Sequence, residues 1–316
     1  MPHGKKRFRH PSDSQDKENP MNDNYKEFNQ IKKQSEKNVI IGGSIMAIGV
    51  ILAVIGNAGQ NGLMIVGIII GIVGLIVLGM GLAKFQNLRK SFKNTVLKKM
   101  FEETLPGITY EPDMGLSQQI VYSTDFLKRA DRFYSEDYLA GKVDDVDFVS
   151  SDVKLEERHV QHTKNGTRVY YVAYFVGRVF RFSFNKDFVG SLQVLEAGSP
   201  HSGGYKKVQL ESVDFNKKFK TYATEDITAF YILTPDIMEA LFKLEQRNPG
   251  RIGISFHGEH MYVAINNNKN TFEIQMFRQI DDSMVKEFER DLMVIKDFIM
   301  TLKLNTHLFK IKEDKK

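Results

Sequence analysis

His257-Gly-Glu-His260 and His159-Val-Gln-His162 are two places where this sequence spaces imidazoles closely enough to suggest a bound metal. Neither spacing suits one. HGEH lacks the helical H-E-x-x-H separation that puts two imidazoles on one face, and it is expected at a hairpin tip. His159 and His162 fall in a segment that reads as a strand, where residues three apart point to opposite faces. His3 and His10 lie in a polar stretch and read as solvent-facing. Ser199, His201 and Ser202 crowd a Gly-rich loop, but no nucleophile-elbow string accompanies them, so a hydrolase triad has no support. Asp144, Asp145 and Asp147 stand beside a strand start and read as a solvated acidic edge. FNKDF (Phe184–Phe188) and FNKKF (Phe215–Phe219) are near copies. They could pair Asn185/Lys186 with Asn216/Lys217 as an anion site. The favoured reading places the Phe rings in a core and Asn-Lys in turns.

No Cys occurs, which removes thiolate nucleophiles, disulfides and Cys-based zinc sites. There is no G-x-x-x-x-G-K-[ST] string and no strand-linked G-x-G-x-x-G. The sequence thus offers no catalytic, cofactor-binding or metal-ligating set, and no cofactor is expected. What it offers instead is a plan of elements.

Val39–Ile55 and Leu63–Ala83 contain no ionisable residue. As helices they would measure about 26 Å and about 32 Å, against a hydrocarbon core of about 30 Å. Gly56–Gly62, "GNAGQNG", separates them and suits a tight reversal. A transmembrane hairpin over residues 38–84 is expected, with spans 39–55 and 63–83. Lys32, Lys33 and Lys37 precede the first span, and Lys84, Arg89, Lys90, Lys93, Lys98 and Lys99 follow the second, while the loop between carries no charge. The positive-inside rule places both flanks, and both termini, in the cytoplasm. The expected location is a multi-pass protein of the cell (inner) membrane. A cleaved signal peptide fits poorly, because a long polar stretch precedes the first apolar run.

Gly42 and Gly49 in the first span with Gly56 just past its end, and Gly67, Gly74 and Gly81 in the second, recur at sevenfold spacing. Small stripes let two backbones approach closely in lipid. They read as the hairpin's own contact faces. Homo-oligomerisation through Gly67, Gly71 and Gly74 is the rival.

Residues 1–37 carry net charge +3 and little apolar content, so a disordered polar and basic tail is expected there. Residues 84–99 carry +6, whereas 100–316 carry −4. A nucleic-acid binder would put its basic footprint on the folded domain, so nucleic acid is not an expected partner. Phe85, Leu88, Phe92, Val96 and Met100 predict a juxtamembrane amphipathic helix over 85–105, its Lys residues near anionic lipid headgroups; the alternative, compatible with the first, is that it packs on the domain that follows.

From 106 to 316 the pattern predicts a cytosolic α+β domain with a mainly antiparallel sheet. DYLAGKV, DVDFVSSDVKLEERHV, GSLQVL, KVQLESV and FKTYAT read as strands. Asn165-Gly166 signals a hairpin turn, and RIGISFHGEHMYVAI reads as a second hairpin. Thr234-Pro235-Asp236 opens a helix that Asn248-Pro249-Gly250 stops. Val285, Phe288, Leu292, Ile295, Ile299 and Leu302 predict a last helix over about 281–304, laid on the sheet in preference to a coiled coil.

Leu210–Glu245, together with Tyr174–Leu195 and EDYLAGKVDDVDFVSSDVKL, resembles a bacterial family of uncharacterised, membrane-anchored proteins marked by Phe-Asn-Lys and Leu-Thr-Pro strings. The resemblance covers roughly residues 110–280. It implies an apolar hairpin before a cytoplasmic domain, and it brings no catalytic residue. The expected function is a membrane-tethered binding or scaffold module, its partners the bilayer and either a protein or an anionic headgroup. The alternative is an enzyme acting on a membrane-proximal substrate.

Overall fold

The computed structural model describes residues 20–59, 62–164 and 166–306, without the side chains of 20–24 and 185–187. His3, His10 and Asn165 therefore lie outside the described residues, as do the side chains of Asn185 and Lys186. The chain divides into two compact units. One runs to Leu88 and takes in Met276–Asp281, and the other holds Arg89–Gln275 and the chain from Asp282 onward.

In the first unit, α1 (Pro20–Ala58) and α2 (Leu63–Phe92, its last residues belonging to the second unit) form the two long helices. Both are long and apolar enough to cross a membrane. Residues 20–37, expected in a polar tail, are the opening turns of α1. The apolar pattern begins later than the helix because the first turns carry Lys and Glu, which favour helix without marking a buried face.

The glycine stripes face one another. A Cβ added at Gly49 would stand 2.7 Å from the Gly67 carbonyl oxygen and overlap the Gly71 backbone nitrogen. One at Gly67 would stand 2.7 Å from the Gly49 carbonyl oxygen, and Gly42, Gly56 and Gly74 are equally tight against backbone. Gly71 is different, since a Cβ there meets open space. Away from this seam the exterior is apolar: Ile51, Val54, Ile65, Ile69, Leu75 and Ile76 are all exposed. At the polar end, Ser35 Oγ donates to the Gly81 carbonyl at 2.6 Å. Asn29 grips the distant segment twice, donating from Nδ2 to Ile280 O at 2.7 Å and accepting from Ile280 N at 3.0 Å. Glu36 accepts from the Phe277 N–H at 2.7 Å.

In the second unit, α2 passes into a π-helical turn, Lys93–Leu97, then α3 (Lys98–Thr104). The strands are β1 (Thr109–Glu111), β2 (Arg132–Val143), β3 (Val146–Thr163), β4 (Gly166–Leu195), β5 (Lys206–Val208), β6 (Lys220–Ala223) and β7 (Arg251–Asn266). The short helices are α4 (Gln118–Tyr122), α5 (Val213–Lys218) and α6 (Asp226–Ile232), and the longer ones α7 (Pro235–Arg247) and α8 (Asp282–Thr301).

The sheet is antiparallel, ordered β1-β2-β3-β4-β6-β5, with β7 on the other edge of β4. Thirty residues long, β4 is the spine: β3 pairs with its first part and β6 with its last, while β7 follows it from Gly177 to Leu195. Alternation along β4 sorts its side chains. Phe175 and Val179 join Val153, Leu155, Leu116 and Val121 on the face covered by α4. Phe180 and Phe182 turn to the other face and meet Phe298 of α8, at 5.9 and 6.2 Å between ring centroids. The last helix thus packs on the sheet as expected, burying Val285, Phe288, Leu292, Ile295 and Ile299.

Three expectations are corrected. RIGISFHGEHMYVAI is not a hairpin but the single strand β7; the β4 register shifts between Ser183 and Ser191, opposite His257–His260, so the small-residue break is an irregularity within one pairing. FNKKF is not a turn: it lies across α5 and its exit, whereas FNKDF lies on β4. The Phe residues of both are buried all the same. KVQLESV is extended only at its start, because Ser212 caps α5 by accepting from Phe215 N.

A buried charge network and two grooves

Lys93 is the residue that the sequence least marks and the fold most uses. A uniform helix from Phe85 would bury Val96 with Phe92 and Met100. The π-turn adds a residue per turn, so Leu97 is buried in its place and Lys93 turns inward, 6% exposed. The expectation that this lysine faces lipid headgroups is overturned. Its ammonium lies 2.7 Å from Asp137 Oδ2 and 2.5 Å from Glu273 Oε1. Arg89 also pairs with Glu273.

Asp137 is fully buried at an irregularity of β2, between Glu136 and Leu139, with φ of +58°. Its other carboxylate oxygen accepts from the Tyr110 hydroxyl. Asp152 and Arg178 face each other across β3 and β4, with Arg178 Nε 3.2 Å from Asp152 Oδ1. Asp152 also accepts from the Thr271 amide, and from its hydroxyl at 2.9 Å. Arg178 Nη2 donates to the Asp137 carbonyl at 3.3 Å and its guanidinium stacks 4.2 Å from the Phe272 ring centroid. Arg178 Nη1 is buried without a hydrogen-bond partner.

Carboxylate oxygens of Glu136, Asp137 and Glu273 lie within 4.8 Å of one another, a spacing that could hold a metal ion. Lys93 stands among them, 4.0 Å from Glu136 Oε2. The ammonium thus fills the position a cation would take.

Burial raises the Asp137 carboxyl to about 7, against the attraction of Lys93. Burial alone would lower the Lys93 ammonium, but Asp137 and Glu273 together outweigh it and hold it above its ordinary value. Burial likewise raises Asp152 and Tyr110. Asp137 and Tyr110 are fully covered, so neither can touch a substrate in this conformation.

Folding raises the Asp137 carboxyl, so the folded chain holds this proton more tightly than the unfolded one. The resulting stability is complete below pH 3.8 and is lost as pH rises through about 7. An Asp137→Asn chain lacks this term. The unfolding temperature of wild type minus that of D137N, in detergent, is expected to be higher at pH 5 than at pH 8. His260, which burial lowers, works in the opposite sense in both chains and cancels. A pH-independent difference would refute the assignment.

Two grooves flank the 266–271 segment. One, of about 250 Å³, is lined by Tyr134, Glu136, Asp152, Lys154, Val176 and Asn270 among others. The second, of about 350 Å³, lies between the α8 face of the sheet, the end of α7 and α8 itself. Lys269 lines both.

The residues singled out in the sequence stand elsewhere. His159 stacks on Tyr170 at 5.4 Å, and His162 Nδ1 lies 3.0 Å from Thr167 Oγ1, on the exposed arm of β3 and β4. His257 Nε2 lies 2.7 Å from Ser123 O and His260 packs edge-on to Tyr262. Ser202 donates its hydroxyl to Asp125, while His201 Nε2 is 3.1 Å from Phe126 O. Asp144 and Asp145, both with positive φ, form the exposed turn between β2 and β3. Asn216 clamps Leu210 through both its amide and carbonyl. Lys217 pairs with Asp214 at the surface. The one signal for the network was Glu136-Asp137, two acids inside a β-rich run.

A domain described as "Protein of unknown function (DUF3137)" is found at residues 173–304. It starts later than the resemblance placed it and takes in α8. Arg178, Glu273 and all residues lining the second groove fall inside it, while Lys93, Asp137 and Asp152 precede it. No curated protein matches the chain. Among solved structures, the mycobacterial trehalose monomycolate transport factor A, TtfA, is similar over 65% of this chain and 93% of its own, at 9% identity and a TM-score of 0.36.

Proposed function

We propose that the chain is a membrane-tethered binding or scaffold module of a bacterial inner membrane, crossing it twice and holding its α+β unit in the cytoplasm. The observation that carries this is the hairpin's exterior. The helices turn their glycines toward each other and Ile, Val and Leu outward, with only 17% and 11% of their most apolar stretches buried. A helix pair built for a soluble core would cover that surface. In lipid the same surface needs no cover, and close backbone packing supplies the association.

The orientation rests on the Lys/Arg bias. That bias overstates the charge available to headgroups. Arg89, Lys93 and Lys98 face Glu273, Asp137 and Glu111, and Lys90 pairs with Asp113 at 3.2 Å. A protein or ligand bound by the second unit therefore fits better than a lipid surface held by the basic flank.

The chain has no cysteine, so single labels are unambiguous. In intact cells, a membrane-impermeant maleimide is expected to modify Asn57→Cys but to reach Ser199→Cys only after permeabilisation. Modification of S199C from outside would reverse the topology, and extraction of the chain by carbonate would remove the anchor.

A further inference from the structure

We infer that the groove between the sheet, α7 and α8 is a binding site for a phosphate-class oxyanion. Four cations line it, Arg178, Arg247, Lys269 and Arg290, against two carboxylates, Glu287 and Asp291. Lys269 holds Asp291 at 2.7 Å, and Arg247 is held by Asp297 at 2.5 Å. Two guanidinium groups have donors left over. Arg290 spends Nε on the Lys286 carbonyl of its own helix, at 3.2 Å, and faces no carboxylate within ion-pair distance among the described residues. Arg178 is 4% exposed and keeps a buried Nη1 with no partner, although its other nitrogens meet Asp152 and the Asp137 carbonyl.

A buried donor left unsatisfied costs about 1–3 kcal/mol, and more when charged, so a fold that retains one invites an acceptor. The Nη1–Nη2 fork of Arg290 and the one unpaired nitrogen of Arg178 match the several oxygens of a phosphate better than a single carboxylate does. The walls add Phe180, Pro249 and Val294, apolar groups that exclude water and strengthen each ion–donor contact. At about 350 Å³ the groove admits a headgroup or a small phosphate ester but not a folded partner.

The inference deepens the binding-module reading and names its ligand class. It is tested independently of topology, on the full chain in detergent. Isothermal titration with inorganic phosphate, at constant ionic strength set by chloride, is the first arm. Titration with nanodiscs containing phosphatidate, against phosphatidylcholine-only discs, is the second. Saturable binding is expected in at least one arm, weakened fivefold or more by Arg290→Gln and not weakened by Glu287→Gln. Binding of phosphate alone identifies a soluble anion, and binding of phosphatidate alone identifies a headgroup. No saturable heat in either arm, or equal affinity in wild type and R290Q, overturns the site while leaving the membrane reading to its own labelling test.

Discussion

Lys93→Met is expected to cost about 3–5 kcal/mol of stability at neutral pH, the usual penalty for removing one partner of a buried ion pair. For the second unit this corresponds to a fall in unfolding temperature on the order of 10 °C. The loss comes less from the missing attraction than from what remains. Asp137 and Glu273 would be left facing each other, with Glu136 nearby and only Arg89, paired with Glu273, to offset them. The deficit should shrink as pH falls, because protonating these carboxyls removes the charge that lost its partner. The geometry adds a second expectation. Oxygens within 4.8 Å of one another suit an ion held at about 2.3–2.6 Å from each, the usual calcium–oxygen distance. Millimolar calcium should therefore raise the unfolding temperature of K93M in detergent and leave wild type unchanged. If K93M unfolds like wild type at neutral pH, the ammonium is not what holds this cluster together.

Gly67→Leu should open the hairpin, while Gly71→Leu, one helical turn on, should not. Overpacking a filled core costs about 1–3 kcal/mol when side chains can yield. Here the obstacle is backbone: a Cβ at Gly67 meets the Ala53 nitrogen and the Gly49 carbonyl, and neither can rotate aside. The helices must part along the whole seam and lose the close packing that joins them. Spin labels on cysteines at Ile51 and Ile68, both exposed, would report this as a longer and broader distance for G67L. An unchanged distance in G67L, or the same broadening in G71L, would contradict the seam. The pair of variants also separates hairpin closure from self-association. Gly67 and Gly74 are already committed to α1, so of the three glycines proposed for a homo-oligomer only Gly71 has a free face. If copies associate through it, G71L abolishes cross-linking between chains and spares the distance within one.

The legible parts of the fold were those written in periodicity. The apolar runs, the alternation along β3 and β4, and the three-four spacing of α8 each state an element and its buried face. Thr234-Pro235-Asp236 set the start of α7 because a cap is local chemistry. The network was not legible, for a specific reason. Its members come from a π-turn, a strand irregularity, the middle of two strands and a loop after β7, and apart from the adjacent acids Glu136-Asp137 no pattern within any one of these marks it. Lys93 in a run of six cations reads as a surface charge until an extra residue in the turn points it inward. Asp152, in Ser151-Asp152-Val153, and Arg178, in Gly177-Arg178-Val179, sit mid-strand, where only the register reveals that they face each other. HGEH misled in the opposite direction: a Gly between polar residues suggests a reversal, yet β7 runs straight through because β4 is irregular at the same height.

Asn29 and Ile280 lie 251 positions apart in sequence, yet each satisfies the other's polar groups. A ribosome making this chain releases both long helices well before it reaches Ile280. The hairpin's own unit must therefore wait, incomplete, while every strand of the sheet is synthesised, and it is finished only as α8 begins. Truncation anywhere upstream of Met276 would leave the hairpin without its clasp, so synthesis through Asp281 becomes a precondition for completing the very part that is made first.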